Sequence, residues 1–501
     1  MITNVLEYLQ ESVKKFPDKI ALVDDSKSIT FRELDSSARA VATAIKATVG
    51  KEIVNNPIVV YMEKSVDVIV SFLGILYSGN FYCPIDIKMP QERRDRILST
   101  LNPICAVAKN NYIGKWNGNF VAYEEALNHE IDDSLCGSYK QLLDVDPIYT
   151  LFTSGSTGVP KGVTISHRGV IDYTEWLKDK FDFDESTIFG NQAPFYFDNS
   201  ILDIYSTLKN GSTMVIIPES VFMLSNKLID YVNEKDINTI FWVPSALVGV
   251  ADSGILEEKR FEKLEKILFC GEVMPCKQLN VWKYHYPKAL YANLYGPTEI
   301  TDVCTYYIVD REFADDDILP IGKGCENAQI LIINEENKLC KPGENGELCV
   351  RGCGVSMGYY ANWEKTESAF VQNPLNNNYR DVIYRTGDIV YLNDNNEIIY
   401  VGRKDFQIKH QGHRIELGEI EAALGDMSDV KQGCAVYDDV NKKIVMFVVA
   451  DSDEVAAKGI YAHLKQKLPK YMLPKDIVII DEFPLNLNGK IDRLELKKRI
   501  N

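Results

Sequence analysis

Hydroxyl residues, glycines and a lysine crowd into "TSGSTGVPKG" (153–162), directly after the apolar run "IYTLF". Gly155 and Gly158 let a backbone take positive φ and come close to a ligand. Successive backbone N–H groups, with the hydroxyls of Thr153, Ser154, Ser156 and Thr157, can then surround phosphate oxygens. Lys161 adds a mobile positive charge. The nucleotide loop G-x-x-x-x-G-K-[ST] is the nearest general pattern, and this stretch departs from it. Pro160 stands where that loop has its last glycine, and Gly162 where it has its magnesium-binding hydroxyl. A P-loop kinase is therefore excluded, while a phosphate-holding loop and a plain surface linker both remain open.

A phosphate site needs a scaffold, and the flanking pattern supplies one. "PIVVYM" (57–62) reads as a strand, and Val66, Ile69, Leu73 and Leu76 then recur at helical spacing. "STMVIIP" (212–218), "INTIFWVP" (237–244), "KILFCGE" (266–272) and "ALYANLYGPTE" (289–299) are further apolar runs separated by helical segments. Strands alternating with helices predict parallel sheets covered on both faces, with ligands held beyond the strands' C-terminal ends. The glycine loops at 153–162 and 295–298 both follow such runs. Beyond residue 325 the texture turns to β: "AQILIIN", "GELCVRG", "DIVYL" and "EIIYVG". The charged stretch at 402–424 opens a separate unit. The fold class expected is α/β: a large N-terminal domain of parallel sheets plus a β-rich subdomain, 1–403, and a small α+β C-terminal domain, 404–501.

The bulk numbers fit this division. A chain of 501 residues exceeds one compact core, and 46% hydrophobic with 25% charged residues is ordinary globular composition. The net charge of −17 repels nucleic acid and anionic lipid, so any phosphate must be held locally. Eleven cysteines without a C-x-x-C pair read as reduced thiols of a cytoplasmic protein. No apolar leader opens the chain, and the uncharged stretch 68–85 reads as a buried helix followed by a loop.

Six stretches occur in order: "LFTSGSTGVPKGVTISHRG", "NLYGPTEIT", "GELCVRGCGVSMGYY", "YRTGDIVY", "GRKDFQIKHQGHRIELGEIE" and "NGKIDR". Together they resemble the adenylate-forming enzymes, in particular the amino-acid-activating adenylation domains of nonribosomal peptide synthesis. The resemblance implies ATP and Mg²⁺, a large domain and a small mobile one. It implies that Thr153–Lys161 covers the ATP phosphates and that Asn293, Tyr295 and Gly296 lie along the nucleotide, Tyr295 against adenine. Thr298 would contact the α-phosphate, Glu299 would hold the metal, Asp388 would take the ribose hydroxyls, and Arg403 would reach ribose or phosphate. Lys490 would bridge the substrate carboxylate and α-phosphate as charge develops, a task suited to a compact ammonium. Asp405 falls at the hinge, and Gly412 on the face lining the path of an incoming thiol.

The same resemblance sets the substrate class. Asp198 in "APFYFDNSILDIY" falls where amino-acid-activating members pair the α-ammonium. Asn199, Leu202, Ser245, Leu268, Cys270, Leu294, Asp302 and Val303 would surround the side chain. "FCGEVMP" and the stand-alone length are similar to D-alanine–carrier protein ligases, whereas Asp302 departs from the apolar residue expected for alanine. If it touches no substrate, a protein lysine or arginine should neutralise it. The expected reaction forms aminoacyl-AMP and pyrophosphate, then a thioester on the phosphopantetheine of a separate carrier protein. The alternative is an acyl- or aryl-CoA ligase of the same superfamily.

Overall fold

The computed structural model describes residues 2–116, 118–155, 159–425, 427, 429–450, 457–485 and 491–500. Ser156, Thr157, Gly158 and Lys490 therefore lie outside the described residues. The chain divides into two compact units: Met1–Ile87, Asn102–Leu151 and Val163–Gly402 form the first; Lys88–Leu101, Phe152–Gly162 and Arg403–Asn501 form the second.

In the first unit, the apolar runs become the strands of two sheets. Leu290–Tyr295, Lys266–Cys270, Thr239–Trp242, Ile188–Asn191, Thr213–Ile216 and Ile20–Val23 run parallel in that spatial order. Antiparallel strands flank them: Thr305–Ile308 then Lys323–Gly324 at one end, and Ser28–Thr30 at the other. A second sheet orders Phe120–Ala122, Cys105–Ala108, Pro57–Tyr61, Phe81–Pro84, Pro147–Thr153 and Lys161–Ser166. Helix Val66–Tyr77 is buried at every position, as the uncharged run from Val68 onward demands, and its one acid, Asp67, pairs with Lys27 and Lys109. Helix Phe31–Val49 begins at a capping box, in which Thr30 and Glu33 satisfy each other's backbone N–H. Ala328–Ile333, Gly346–Gly352, Val382–Leu392 and Phe370–Gln372 pair antiparallel in that spatial order, and Ile398–Arg403 joins Val382–Leu392 as a fifth strand.

The second unit has its own core. Val430–Asp438 and Lys443–Ala450 pair antiparallel, and Asp476–Ile479 joins parallel. Ile420, Leu424, Met446, Ile460 and Leu464 pack beneath that sheet. The hairpin Gln407–His410/His413–Glu416 precedes it. Helix Gln91–Leu101 belongs to this unit, where Arg93 forms a buried ion pair with Glu419.

Candidate active site

The end of strand Leu290–Tyr295 carries the densest set of expected residues. Tyr295 is buried, and its phenol donates to the carboxylate of Asp388. Burial, then the Asp388 charge, pushes that phenol well above its usual range, so it stays a donor. Asp388 sits within the long strand Val382–Leu392, not in the turn that "GD" suggests locally. Its N–H donates to the Thr386 hydroxyl at 3.0 Å, which in turn donates to the Leu348 carbonyl. Asn293 is spoken for structurally, its amide donating to the Pro320 carbonyl at 2.8 Å.

Past Tyr295 the chain turns sharply. A Cβ on Gly296 would lie 2.2 Å from the Asp302 carbonyl oxygen, so only glycine allows the approach. Thr298–Ile300 form one 3-10 turn. Glu299 is fully buried there; its carboxylate accepts the Tyr359 hydroxyl at 2.9 Å, and its carbonyl accepts Ser356 N–H at 2.8 Å. Thr301 and Asp302 both have positive φ, 61° and 71°. Asp302 is 1% exposed and accepts the Tyr173 hydroxyl at 2.7 Å. One protein group on Asp302 is thus the Tyr173 phenol.

Asp198 is buried just ahead of helix Ser200–Asn210, its carboxylate accepting Asn199 N–H at 3.1 Å. The segment leading to it is pinned by Lys64, whose ammonium donates to the carbonyls of Asn191 and Gln192 at 3.3 and 3.0 Å. The Asn191 amide donates to Asp203 at 2.7 Å. Burial lowers the Lys64 ammonium to about 7 and raises the Asp203 carboxyl to about 7. Leu202, Leu268, Cys270, Leu294 and Val303 are buried. The Asn199 amide nitrogen is buried with no partner among the described residues. Ser245 is exposed, with its N–H donating to Glu272.

The stretch Phe152–Gly162 and the residues Arg403, Asp405 and Gly412 lie in the second unit. Ser154 donates to the Arg414 carbonyl at 2.8 Å and accepts Glu416 N–H at 3.2 Å. Lys161 lies 3.9 Å from Glu416. A Cβ on Gly155 would sit 2.0 Å from the Val159 carbonyl oxygen, which ties this glycine to the loop's tight turn. The buried Thr153 hydroxyl has no partner among the described residues. Arg403 grips Asp405 through Nε and Nη2 at 2.6 and 2.8 Å. Burial opposes this, yet the guanidinium holds the Asp405 carboxyl below its ordinary value. Gly412 has φ 77° in the hairpin turn.

Sequence reasoning missed Tyr173, Tyr359 and Lys64. Tyr359 at least lies inside a quoted motif; the other two sit in ordinary helical or strand-end sequence.

The AMP-binding enzyme family matches residues 9–360, and the AMP-binding enzyme C-terminal domain matches residues 419–490. The chain belongs to the AMP-binding enzymes. It is 32% identical to a D-alanine–D-alanyl carrier protein ligase of Bacillus licheniformis, over 98% of this chain and 99% of that one. An L-proline–[L-prolyl-carrier protein] ligase of Pseudomonas fluorescens is 30% identical, with 99% of each chain covered. Tyrocidine synthase 3 of Brevibacillus parabrevis is 31% identical over 98% of this chain, which spans only 8% of that protein. Two solved structures share the fold with TM-scores of 0.85: a nonribosomal peptide synthetase protein containing adenylation and PCP domains (22% identical, 99% of this chain, 84% of that one), and a Bacillus subtilis o-succinylbenzoate CoA synthetase (19%, 98% of each).

Proposed function

We propose that this AMP-binding enzyme activates an amino acid as aminoacyl-AMP and passes it to the phosphopantetheine thiol of a carrier protein. The observation that carries this reading is Asp198: a buried carboxylate at the start of helix Ser200–Asn210, of the one type that an α-ammonium neutralises and an acyl or aryl acid does not. Stand-alone relatives named as carrier protein ligases, matched end to end, support the choice of acceptor.

The residue roles follow the chemistry of each group. Asp388, steadied by Tyr295 and Thr386, takes the ribose hydroxyls; Tyr295 lies along the adenine. Thr153, Ser154 and Lys161 with the rest of their loop hold the phosphates, and Thr298 the α-phosphate. Lys490 stabilises negative charge as the substrate carboxylate attacks the α-phosphorus and pyrophosphate leaves. Glu299 fits Mg²⁺, a hard cation that one carboxylate plus substrate phosphates commonly bind. Among the described residues there is no cluster of three or more His, Cys, Asp or Glu side chains for an all-protein metal cage. When bound, the metal neutralises phosphate charge; Glu299, held by Tyr359, is the protein's contribution to it. The division proposed is 1–403 and 404–501, with Asp405 as hinge and Gly412 facing the thiol's path; the break between compact units at Gly402–Arg403 supports it. Among the described residues no helix is long and apolar enough to cross a membrane, and the site of action proposed is the cytoplasm.

Pyrophosphate exchange against D- and L-amino acids and their des-amino analogues tests the reading. Removing one partner of a buried ion pair costs about 3–5 kcal/mol. Asp198→Ala should therefore cut amino acid activation by roughly 10²–10³-fold and spare the des-amino acid. Equal losses would sink the assignment, and free coenzyme A matching every carrier would favour the CoA ligase.

A further inference from the structure

Asp198 lies on the segment 192–199, between strand Ile188–Asn191 and helix Ser200–Asn210, and belongs to neither element. A carboxylate on such a segment is only as well placed as the segment's two ends. Here the ends are joined directly: the Asn191 amide donates to Asp203 Oδ2 at 2.7 Å, linking the last residue of the strand to the first turn of the helix. Both residues are fully buried, so water does not compete for that bond. The segment is thus a loop closed at its neck.

Lys64 grips the same neck from a different sheet. It stands just past strand Pro57–Tyr61 and just before helix Val66–Tyr77. Its Nζ donates to the carbonyls of Asn191 and Gln192 at 3.3 and 3.0 Å, and it lies 5.5 Å from the centroid of the buried Phe195 ring. Phe195 in turn meets Phe72 of helix Val66–Tyr77 edge-on, with centroids 6.2 Å apart. One side chain therefore touches residues 191, 192 and 195 on the way to Asp198. Burial lowers the Lys64 ammonium to about 7, yet protonated or neutral the amine keeps an N–H for each carbonyl.

Taking Asp198 as the partner of the α-ammonium, we propose that Lys64 is a positioning residue for that carboxylate. With the Asn191–Asp203 neck it fixes the segment 192–199, and it acts on the amino acid only through Asp198. A buried ion pair offsets its desolvation only where the geometry is already good. A segment that had to be ordered as the substrate arrives would subtract that cost from affinity. Tyr295 and Asp388, assigned to the nucleotide, stand on the strands Leu290–Tyr295 and Val382–Leu392, which Lys64 does not grip through these contacts. Loss of Lys64 should accordingly reach the amino acid and spare ATP.

The test is a double-mutant cycle read by pyrophosphate exchange with the preferred amino acid. Lys64→Met keeps an unbranched stem and removes the N–H donors. It should lower kcat/KM for the amino acid by roughly 10–10²-fold, through the amino acid KM, with the ATP KM within about twofold of wild type. In an Asp198→Ala background the same substitution should cost less than about threefold, because the carboxylate it positions is gone. Asn191→Leu removes the amide at the neck and leaves the backbone carbonyl; it should repeat both results. Urea midpoints establish that each variant is folded, and should Lys64→Met unfold, Asn191→Leu carries the same cycle. Equal losses with and without Asp198, or an ATP KM that rises as far as the amino acid KM, would show Lys64 to be structural and overturn the proposal. If Asp198→Ala alone harms the amino acid and its des-amino analogue equally, the α-ammonium reading falls and this inference with it. A selective Asp198→Ala beside an additive cycle leaves that reading standing and removes only the role of Lys64.

Discussion

Tyr359→Phe probes how Glu299 is held. Glu299 is fully buried on a single 3-10 turn, too short to fix a carboxylate by its own backbone. The segment 356–359 fixes it twice, through Ser356 N–H to the Glu299 carbonyl at 2.8 Å and the Tyr359 hydroxyl to Oε1 at 2.9 Å. Removing the hydroxyl deletes a hydrogen bond to a charged group, worth about 1.5–3 kcal/mol, while the ring still fills its place. Part of that loss should appear as lower stability in urea. The rest should appear in catalysis, because an unsteered carboxylate must be ordered when metal and phosphates arrive. The expected result is a fall of roughly 10–10²-fold in exchange rate at limiting Mg²⁺, partly recovered as Mg²⁺ is raised, with the amino acid preference unchanged. Glu299→Gln should not recover at high Mg²⁺. An unaltered Mg²⁺ dependence in Tyr359→Phe, beside a full stability loss, would refute the link between this hydrogen bond and the metal.

Further expectations test other parts of the site. Tyr295→Phe removes the donor to buried Asp388; it should lose about 1.5–3 kcal/mol of stability and relax discrimination between ATP and 2′-deoxy-ATP, and retained discrimination would separate Tyr295 from the ribose site. Gly296→Ala should abolish most exchange activity, because its Cβ would press on the Asp302 carbonyl; Gly249→Ala, where nothing lies within 4 Å, should be neutral or stabilising. Burial holds His167 neutral, lowering it from 6.5 to about 4. The unfolded chain therefore takes up that proton first, so the contribution of neutral His167 is complete above about pH 6.5 and is lost as pH falls toward 4, to a limit of about 3 kcal/mol. Urea midpoints between pH 6.5 and 5 should fall less steeply in His167→Gln, and an identical slope would contradict the assignment. His413, lowered by burial to about 3, acts in the same direction and keeps the slope from vanishing.

What was legible in the sequence was what local rules decide. "KILFCGE" and "ALYANLYGPTE" became the strands Lys266–Cys270 and Leu290–Tyr295 because β-branched and aromatic runs bounded by glycine have few other stable forms. "RTGD" misleads locally: glycine and aspartate favour a turn, yet pairing along Gly346–Gly352 carries the chain straight through it. Gly387, at φ 75°, takes up the irregularity in that ladder. The partners of the chemical residues had no local signal at all. Tyr359 reaches Glu299 across 60 positions and Tyr173 reaches Asp302 across 129, and no spacing rule links residues that meet only after two sheets have formed. The same holds for Arg93, which pairs with Glu419 in the second unit although its helix, Gln91–Leu101, lies far earlier in the chain.

The departures from local preference are not scattered. Within eight positions after Tyr295 come a glycine no other residue can replace, a buried glutamate on one turn of helix, and two successive left-handed residues, the second a buried aspartate. A sequence selected for stability alone would avoid each of these, since each burdens the folded state with strain or desolvated charge. They persist because neighbouring elements over-determine them: Tyr359 and Ser356 at Glu299, Tyr173 at Asp302, Gly354 at Thr301. On the proposed reading, the Glu299 carboxylate is already buried and already held by Tyr359, so that a cation meeting it would not need to reorganise the protein. Truncating the Tyr359 hydroxyl should then damage metal dependence before it damages the fold, and that order of failure separates a preorganised site from a merely buried one.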